Sequence, residues 1–144
     1  MEKARNFSNY KVWQDAVDYS TKVYQITDKM PWFEKKGLCD QLQRAAVSIS
    51  SNIAEPTHER MQSQACLSYA EREGGRRSQR AAKPSNADFA RFLDTALGSS
   101  YEVETQLLIA NKVGYVDNEK YNELYNGITE IQKQLAGLIR SLRQ

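Results

Sequence analysis

At 144 residues the chain is long enough for one ordinary hydrophobic core and short for two, and its 40% hydrophobic and 26% charged residues are globular values. Seven Gly and three Pro argue against a disordered or collagen-like chain, and a formal net charge of +2 is too small to imply nucleic-acid binding by its total alone. Cys39 and Cys66 match neither a disulfide framework nor a Cys-x-x-Cys metal spacing. With no basic-then-apolar leader and no apolar run near the roughly 20 residues needed to cross a bilayer, the expectation is a cytoplasmic protein in a reducing compartment with no membrane partner.

Trp13, Ala16, Val17, Ser20 and Tyr24 recur at three- and four-residue spacing and predict a first helix over about 9–29, ended by Pro31. A second helix over about 34–55 stacks Leu38, Leu42, Ala45, Ile49 and Ile53 on one face. Pro56 lacks a backbone donor and predicts a sharp stop there.

The stretch of about 56–85 differs in composition: it holds the Gly74-Gly75 break and only Met61, Cys66, Leu67 and Tyr69 as a modest apolar group. Met61–Glu73 fits one short amphipathic helix, and 76–84 reads as an exposed linker. Between Pro56 and Ser85 lie Arg60, Arg72, Arg76, Arg77, Arg80 and Lys83 against Glu59, Glu71 and Glu73, a local charge of +3 in a chain otherwise near neutrality.

The third helix spans about 86–113, opened by Ser85 or Asn86 as a cap, with Asp88 complementing the dipole and Gly114 supplying the stop. Phe89, Phe92, Leu93, Ala96, Val103, Leu107 and Ala110 share its apolar side, and Gly98 predicts a close helix approach. Asp117 fits the N-cap of a fourth helix over about 117–142, whose stripe is Tyr121, Leu124, Ile128, Ile131, Leu135, Leu138 and Leu142. Four amphipathic segments with short first and last connections predict an all-α, single-domain, up-down antiparallel four-helix bundle carrying a long insertion between helices two and three.

Chemistry is scarce in this inventory. The only histidine is His58, no Glu-x-x-His pair exists, and Glu102 and Glu104 point about 200° apart on a helix, so neither a di-metal site nor a paired-carboxylate site is predicted. Nothing places His58 beside either thiol, and Gly74-Gly75-Arg76-Arg77-Ser78 lacks the strand and the Gly-Lys-Ser/Thr ending of a phosphate loop. The expectation is no catalytic residue, no metal, no cofactor and no small-molecule substrate.

What remains is organised polarity. Arg44, Ser48, Asn52 and Glu55 form a polar stripe on helix two. Ser99, Glu102 and Gln106 border the apolar face of helix three, so the spacing predicts a hydrogen-bonded seam between the two helices, including an Arg44–carboxylate contact. The same spacing fits an ordinary solvated helix face. The amphipathic aromatics Tyr10, Trp13, Tyr19, Tyr24, Trp32, Tyr101, Tyr115, Tyr121 and Tyr125 are mostly expected at the core edge. Leu93, Leu97 and Leu108 extend the stripe of helix three outward and favour self-association.

Several segments in fixed order then carry a resemblance: Tyr10-Lys-Val-Trp-Gln, Gln41-Leu-Gln-Arg-Ala-Ala-Val-Ser-Ile, Ser51-Asn-Ile-Ala-Glu, Phe89-Ala-Arg-Phe-Leu and Ala96-Leu-Gly-Ser-Ser-Tyr-Glu-Val-Glu-Thr-Gln-Leu. Together they resemble the small four-helix-bundle proteins encoded in intervening sequences of bacterial 23S ribosomal RNA genes. Members of that family usually pass from Asn-Ile-Ala-Glu through a short Gly- and Arg-containing turn directly into the third helix. Gly75-Arg76-Arg77-Ser78 looks like a remnant of that turn, and the flanking residues read as an insertion. The resemblance implies a ring-like homo-oligomer, a pentamer, and little biochemistry; a structurally similar bundle is the accessory subunit of diversity-generating reverse transcriptases, a likeness of fold alone.

The reading that follows is a non-enzymatic homo-oligomer contacting RNA or a ribonucleoprotein through Arg72, Arg76, Arg77, Arg80 and Lys83, with Arg44, Arg140 and Arg143 second. The alternative is a protein-interaction scaffold with no nucleic-acid role, in which Ser48, Asn52, Glu55, Ser99, Glu102 and Gln106 fix helix pairing or subunit contact.

Overall fold

A computed structural model of the chain describes residues 7–70 and 85–144, the side chains of 57–70 excepted. Four helices, α1 (Lys11–Asp28), α2 (Leu38–Ala70), α3 (Asn86–Lys112) and α4 (Asn118–Leu142), form an up-down antiparallel bundle, with short 3-10 turns at Phe7–Asn9 and Trp32–Glu34. No strand occurs among the described residues. Each helix packs on its neighbour in sequence and α4 returns to α1, so the four close around one core.

The helix ends follow local chemistry. Ser85 and Asp88 make a reciprocal capping box: the Ser85 hydroxyl accepts from the Asp88 N–H at 3.1 Å, and the Asp88 carboxylate accepts from the Ser85 N–H at 3.2 Å. Asp117 caps α4 by accepting from the Lys120 N–H at 2.8 Å. At the end of α3, Gly114 takes φ +88°, which lets the Tyr115 N–H turn back to the Ala110 carbonyl at 2.9 Å and closes a Schellman motif.

α2 departs from the expectation at its C-terminus. It runs on through Pro56 to Ala70 instead of stopping at Glu55. Pro56 removes one ladder hydrogen bond, but its ring is buried and the helical bonds on either side survive, so proline weakens the helix here without terminating it. Residues 71–84, and with them the predicted exposed linker, lie outside the described residues.

The core is Val12, Ala16, Tyr19, Val23 and Ile26 from α1, Leu42, Ala45, Ile49 and Ile53 from α2, Phe89, Leu93, Ala96, Val103, Leu107 and Ala110 from α3, and Leu124, Ile128, Ile131, Leu135 and Ile139 from α4. On α1 the buried stripe is rotated from the predicted one: Ala16 and Ser20 are buried and Trp13 is half-buried, while Val17 and Tyr24 face outward. A three/four spacing fits two neighbouring stripes, and the stripe holding Tyr19, Val23 and Ile26 is the more apolar.

Gly98 is not a close-approach site. It is exposed, and a Cβ there would meet nothing within 4 Å. The glycine that admits a neighbour is Gly127 on α4, where a Cβ would lie 3.0 Å from the Tyr19 ring. That ring is buried, and its hydroxyl donates to the Leu124 carbonyl at 2.8 Å, locking α1 to α4. Leu93 likewise points into the core and Leu97 is half-buried, so of the three leucines expected to extend α3 outward only Leu108 is exposed, alongside Tyr101 and Ile109.

Candidate functional site

The polar residues of α2 and α3 meet at one place. The Ser48 and Ser99 hydroxyls lie 2.9 Å apart across the two helices, and the Asn52 amide donates to the Ser48 carbonyl at 2.7 Å and to its hydroxyl at 3.0 Å. Two turns nearer the α1–α2 turn, the Gln106 amide donates to the Gln41 side-chain oxygen at 3.5 Å. The Gln106 side-chain oxygen is buried with no partner. Glu55 and Glu102, placed in the same seam by their spacing, are exposed at its margin. Arg44 makes no contact to an α3 carboxylate: its guanidinium pairs with Asp40 one turn back on α2, at 3.0 Å, because the i,i+4 partner is in reach without crossing a groove.

Hydroxyls and amides of this kind, hydrogen-bonded to one another and to the backbone, order a helix interface. Burial, with Glu34 adding to it, pushes the Cys39 thiol up, away from the reactive thiolate, and its sulfur sits 3.6 Å from both the Thr27 carbonyl and the Met30 thioether. Burial also raises the Tyr19 phenol, with Glu104 contributing. Among the described residues no group of three His, Cys, Asp or Glu side chains is arranged to hold a metal ion.

Of the basic candidates, the three among the described residues line two different grooves. Arg44 lines a shallow groove between α1 and α2 with Tyr24, Gln43, Val47 and Ser51. Arg140 and Arg143 line another between α3 and α4 with Asp94, Leu97 and Ile139, and Arg143 forms an ion pair with Asp94. Arg72, Arg76, Arg77, Arg80 and Lys83 lie outside the described residues.

The residue pattern did not single out the turn between α1 and α2. Trp32 and Phe33 are 81% and 61% exposed there, with Lys29, Lys35 and Lys36 exposed on either side. The signal was present in the order Lys29-Met-Pro-Trp-Phe-Glu-Lys-Lys36: two large apolar residues between helices, on no helical stripe that a core would cover.

Among the described residues these observations define a small all-α bundle with a polar seam between α2 and α3. The chain belongs to the 23S rRNA-intervening sequence protein family, whose model matches residues 8–74 and 79–137. The match therefore reaches into the segment read as an insertion and leaves only 75–78 between its two stretches. The chain is also similar to a crystal structure of a protein of unknown function from the S23 ribosomal protein family of Bacteroides thetaiotaomicron. The two are 23% identical with a TM-score of 0.64, over 90% of this chain and 95% of that one, a likeness of fold. No curated protein is significantly similar to the chain.

Proposed function

We propose that this protein is a non-enzymatic homo-oligomer, a pentamer, that serves as an accessory factor contacting RNA or a ribonucleoprotein. The observation that carries this reading is the local excess of basic residues between Pro56 and Ser85 in a chain otherwise near neutrality. Repeated around a ring, that excess becomes a substantial basic surface, and attraction to phosphate grows with the number of phosphates neutralised. In an antiparallel bundle the segment leaves from the end of the molecule where α3 begins and α4 finishes, which is the end carrying Arg140 and Arg143. The family description, which names 23S rRNA, supports choosing RNA as the polyanion to test.

A second reading, a protein-interaction scaffold, is favoured by exposed Val47, Tyr101, Leu108 and Ile109 on the outer faces of α2 and α3. Light scattering combined with binding of a labelled structured RNA at two salt concentrations separates the two. The accessory reading expects an oligomer whose RNA affinity falls steeply with salt, and an oligomer with no salt-sensitive RNA binding leaves the scaffold. Changing Arg76 and Arg77 together to Ala is expected to weaken RNA binding while leaving helicity and oligomer size intact.

A further inference from the structure

The α1–α2 turn carries the most exposed large apolar side chain among the described residues, Trp32, beside a second, Phe33. Isolated exposed apolar residues are ordinary on protein surfaces; two adjacent aromatic rings on a stiffly held turn are not. Met30 is buried on one side of the pair and Cys39 follows on the other, their sulfurs 3.6 Å apart. Glu34 accepts from the Tyr115 hydroxyl at 3.0 Å and from the Leu38 N–H at 3.4 Å, tying the turn to the α3–α4 connection and to the first turn of α2. The two rings meet edge to face, with centroids 6.1 Å apart and planes at 80°. Their outer faces remain in solvent although the backbone beneath them is fixed, so an incoming flat group meets a pre-ordered surface.

Charge selects the partner. Lys29, Lys35 and Lys36 are exposed beside the rings in sequence and form no ion pair among the described residues. They outnumber the local carboxylates, Glu34 and the exposed Asp28, and Glu34 is drawn toward its donors, the Tyr115 hydroxyl and the Leu38 N–H. Lys112 is exposed on the last turn of α3, beside the connection to which the turn is tied. A second copy docked turn to turn would set these lysines against one another. A polyanion that also offers flat apolar faces satisfies both features at once.

We propose that the α1–α2 turn is a binding platform for single-stranded nucleic acid, with bases stacking on Trp32 and Phe33 and the intervening phosphates attracted by Lys29, Lys35 and Lys36. This rests on the accessory-factor reading and deepens it by giving the RNA contact a second surface with different chemistry. The basic segment attracts any phosphate backbone, whereas the rings require unpaired bases.

Trp32 and half-buried Trp13 are the only tryptophans, so stacking has an optical signature in the intact protein. Titration with a single-stranded 12-mer of uridine or adenosine is expected to quench the exposed tryptophan emission, and a perfectly paired RNA duplex is expected to quench it far less. The double variant Trp32→Ala, Phe33→Ala is expected to bind the single strand about tenfold more weakly, as loss of a stacking contact does. Trp32→Phe retains most of the affinity, and circular dichroism remains that of the parent because the altered side chains are exposed.

Equal single-strand binding by the double variant, with binding still lost in the Arg76, Arg77 variant, overturns the platform and keeps the accessory reading. No RNA binding by the parent protein overturns both. Quenching of Trp32 by phosphatidylglycerol vesicles without quenching by the single strand, or a tryptophan-dependent rise in oligomer size, overturns the platform in favour of a membrane or a second copy.

Discussion

The two helix interfaces that frame the bundle are built from opposite materials. Between α1 and α4 a buried Tyr19 ring fills the space left by the absent side chain of Gly127, and its one polar atom is satisfied by the Leu124 carbonyl. Between α2 and α3 the Ser48–Ser99 hydroxyl pair and Asn52 occupy a half-buried border. A ring over a glycine is a shape match, which fails if either partner changes volume. A hydroxyl pair is a satisfaction match, which fails only if one partner is removed and the other is left stranded.

The largest effect should follow loss of the ring. Tyr19→Ala is expected to destabilise the fold by about 3–4 kcal/mol, the usual range for deleting a buried aromatic side chain, seen as a lowered midpoint in urea unfolding. Gly127→Val comes next, at about 1–3 kcal/mol, because its Cβ would already crowd a ring that its hydroxyl bond prevents from sliding away. Combining the two gives the sharper result: the added valine occupies part of the cavity, so the double variant should be more stable than the sum of the singles requires. Simple additivity would show that the ring and the glycine are not a matched pair.

The α2–α3 side should behave differently. Ser99→Ala leaves the Ser48 hydroxyl with only the Asn52 amide and is expected to cost about 1 kcal/mol. Adding Ser48→Ala removes the stranded group, and the double variant is expected to recover part of that loss. If the double variant were instead worse by the sum of two full losses, the seam would be a packing interface like its counterpart, and the contrast would disappear.

How much of this was legible in the residues follows the same division. The stripes of α2, α3 and α4 were readable because each is strongly apolar at one spacing. That of α1 was displaced because Tyr19 is amphipathic and Val17 and Tyr24 satisfy a neighbouring spacing equally well. Ser48 and Ser99 stand together where their positions on the two helices suggested. The Gly127–Tyr19 contact was not readable, because Gly127 and Gly98 look alike in a linear pattern and only the packing of a distant helix distinguishes them. Pro56 departs from expectation for a related reason: the loss of one donor weighs less than the helical bonds that remain around it. Trp32, grouped with aromatics mostly expected at the core edge, is instead the most exposed large apolar side chain among the described residues, and Phe33 follows it, because periodicity says nothing about residues between helices.

The smallest expected effect probes a polar link on the otherwise shape-matched α1–α4 side. Asp15 on α1 pairs with Lys11 at 2.6 Å and accepts from the Gln134 amide of α4 at 2.8 Å. The Lys11 contact first, and then Gln134, hold its carboxyl below the usual carboxylate range. A carboxyl whose pKa is lower folded than unfolded stabilises the fold at pH values above the unfolded value, near 4, and loses that contribution as the pH falls through the folded one. The pair is substantially exposed, so Asp15→Asn is expected to lower stability by only about 0.5 kcal/mol at neutral pH. The parent and variant stabilities should converge below about pH 4, where the parent carboxyl is also becoming neutral. Unfolding curves at pH 7 and pH 3 check this, and a gap that persisted undiminished at the lower pH would assign the effect to the Gln134 hydrogen bond rather than to the charge.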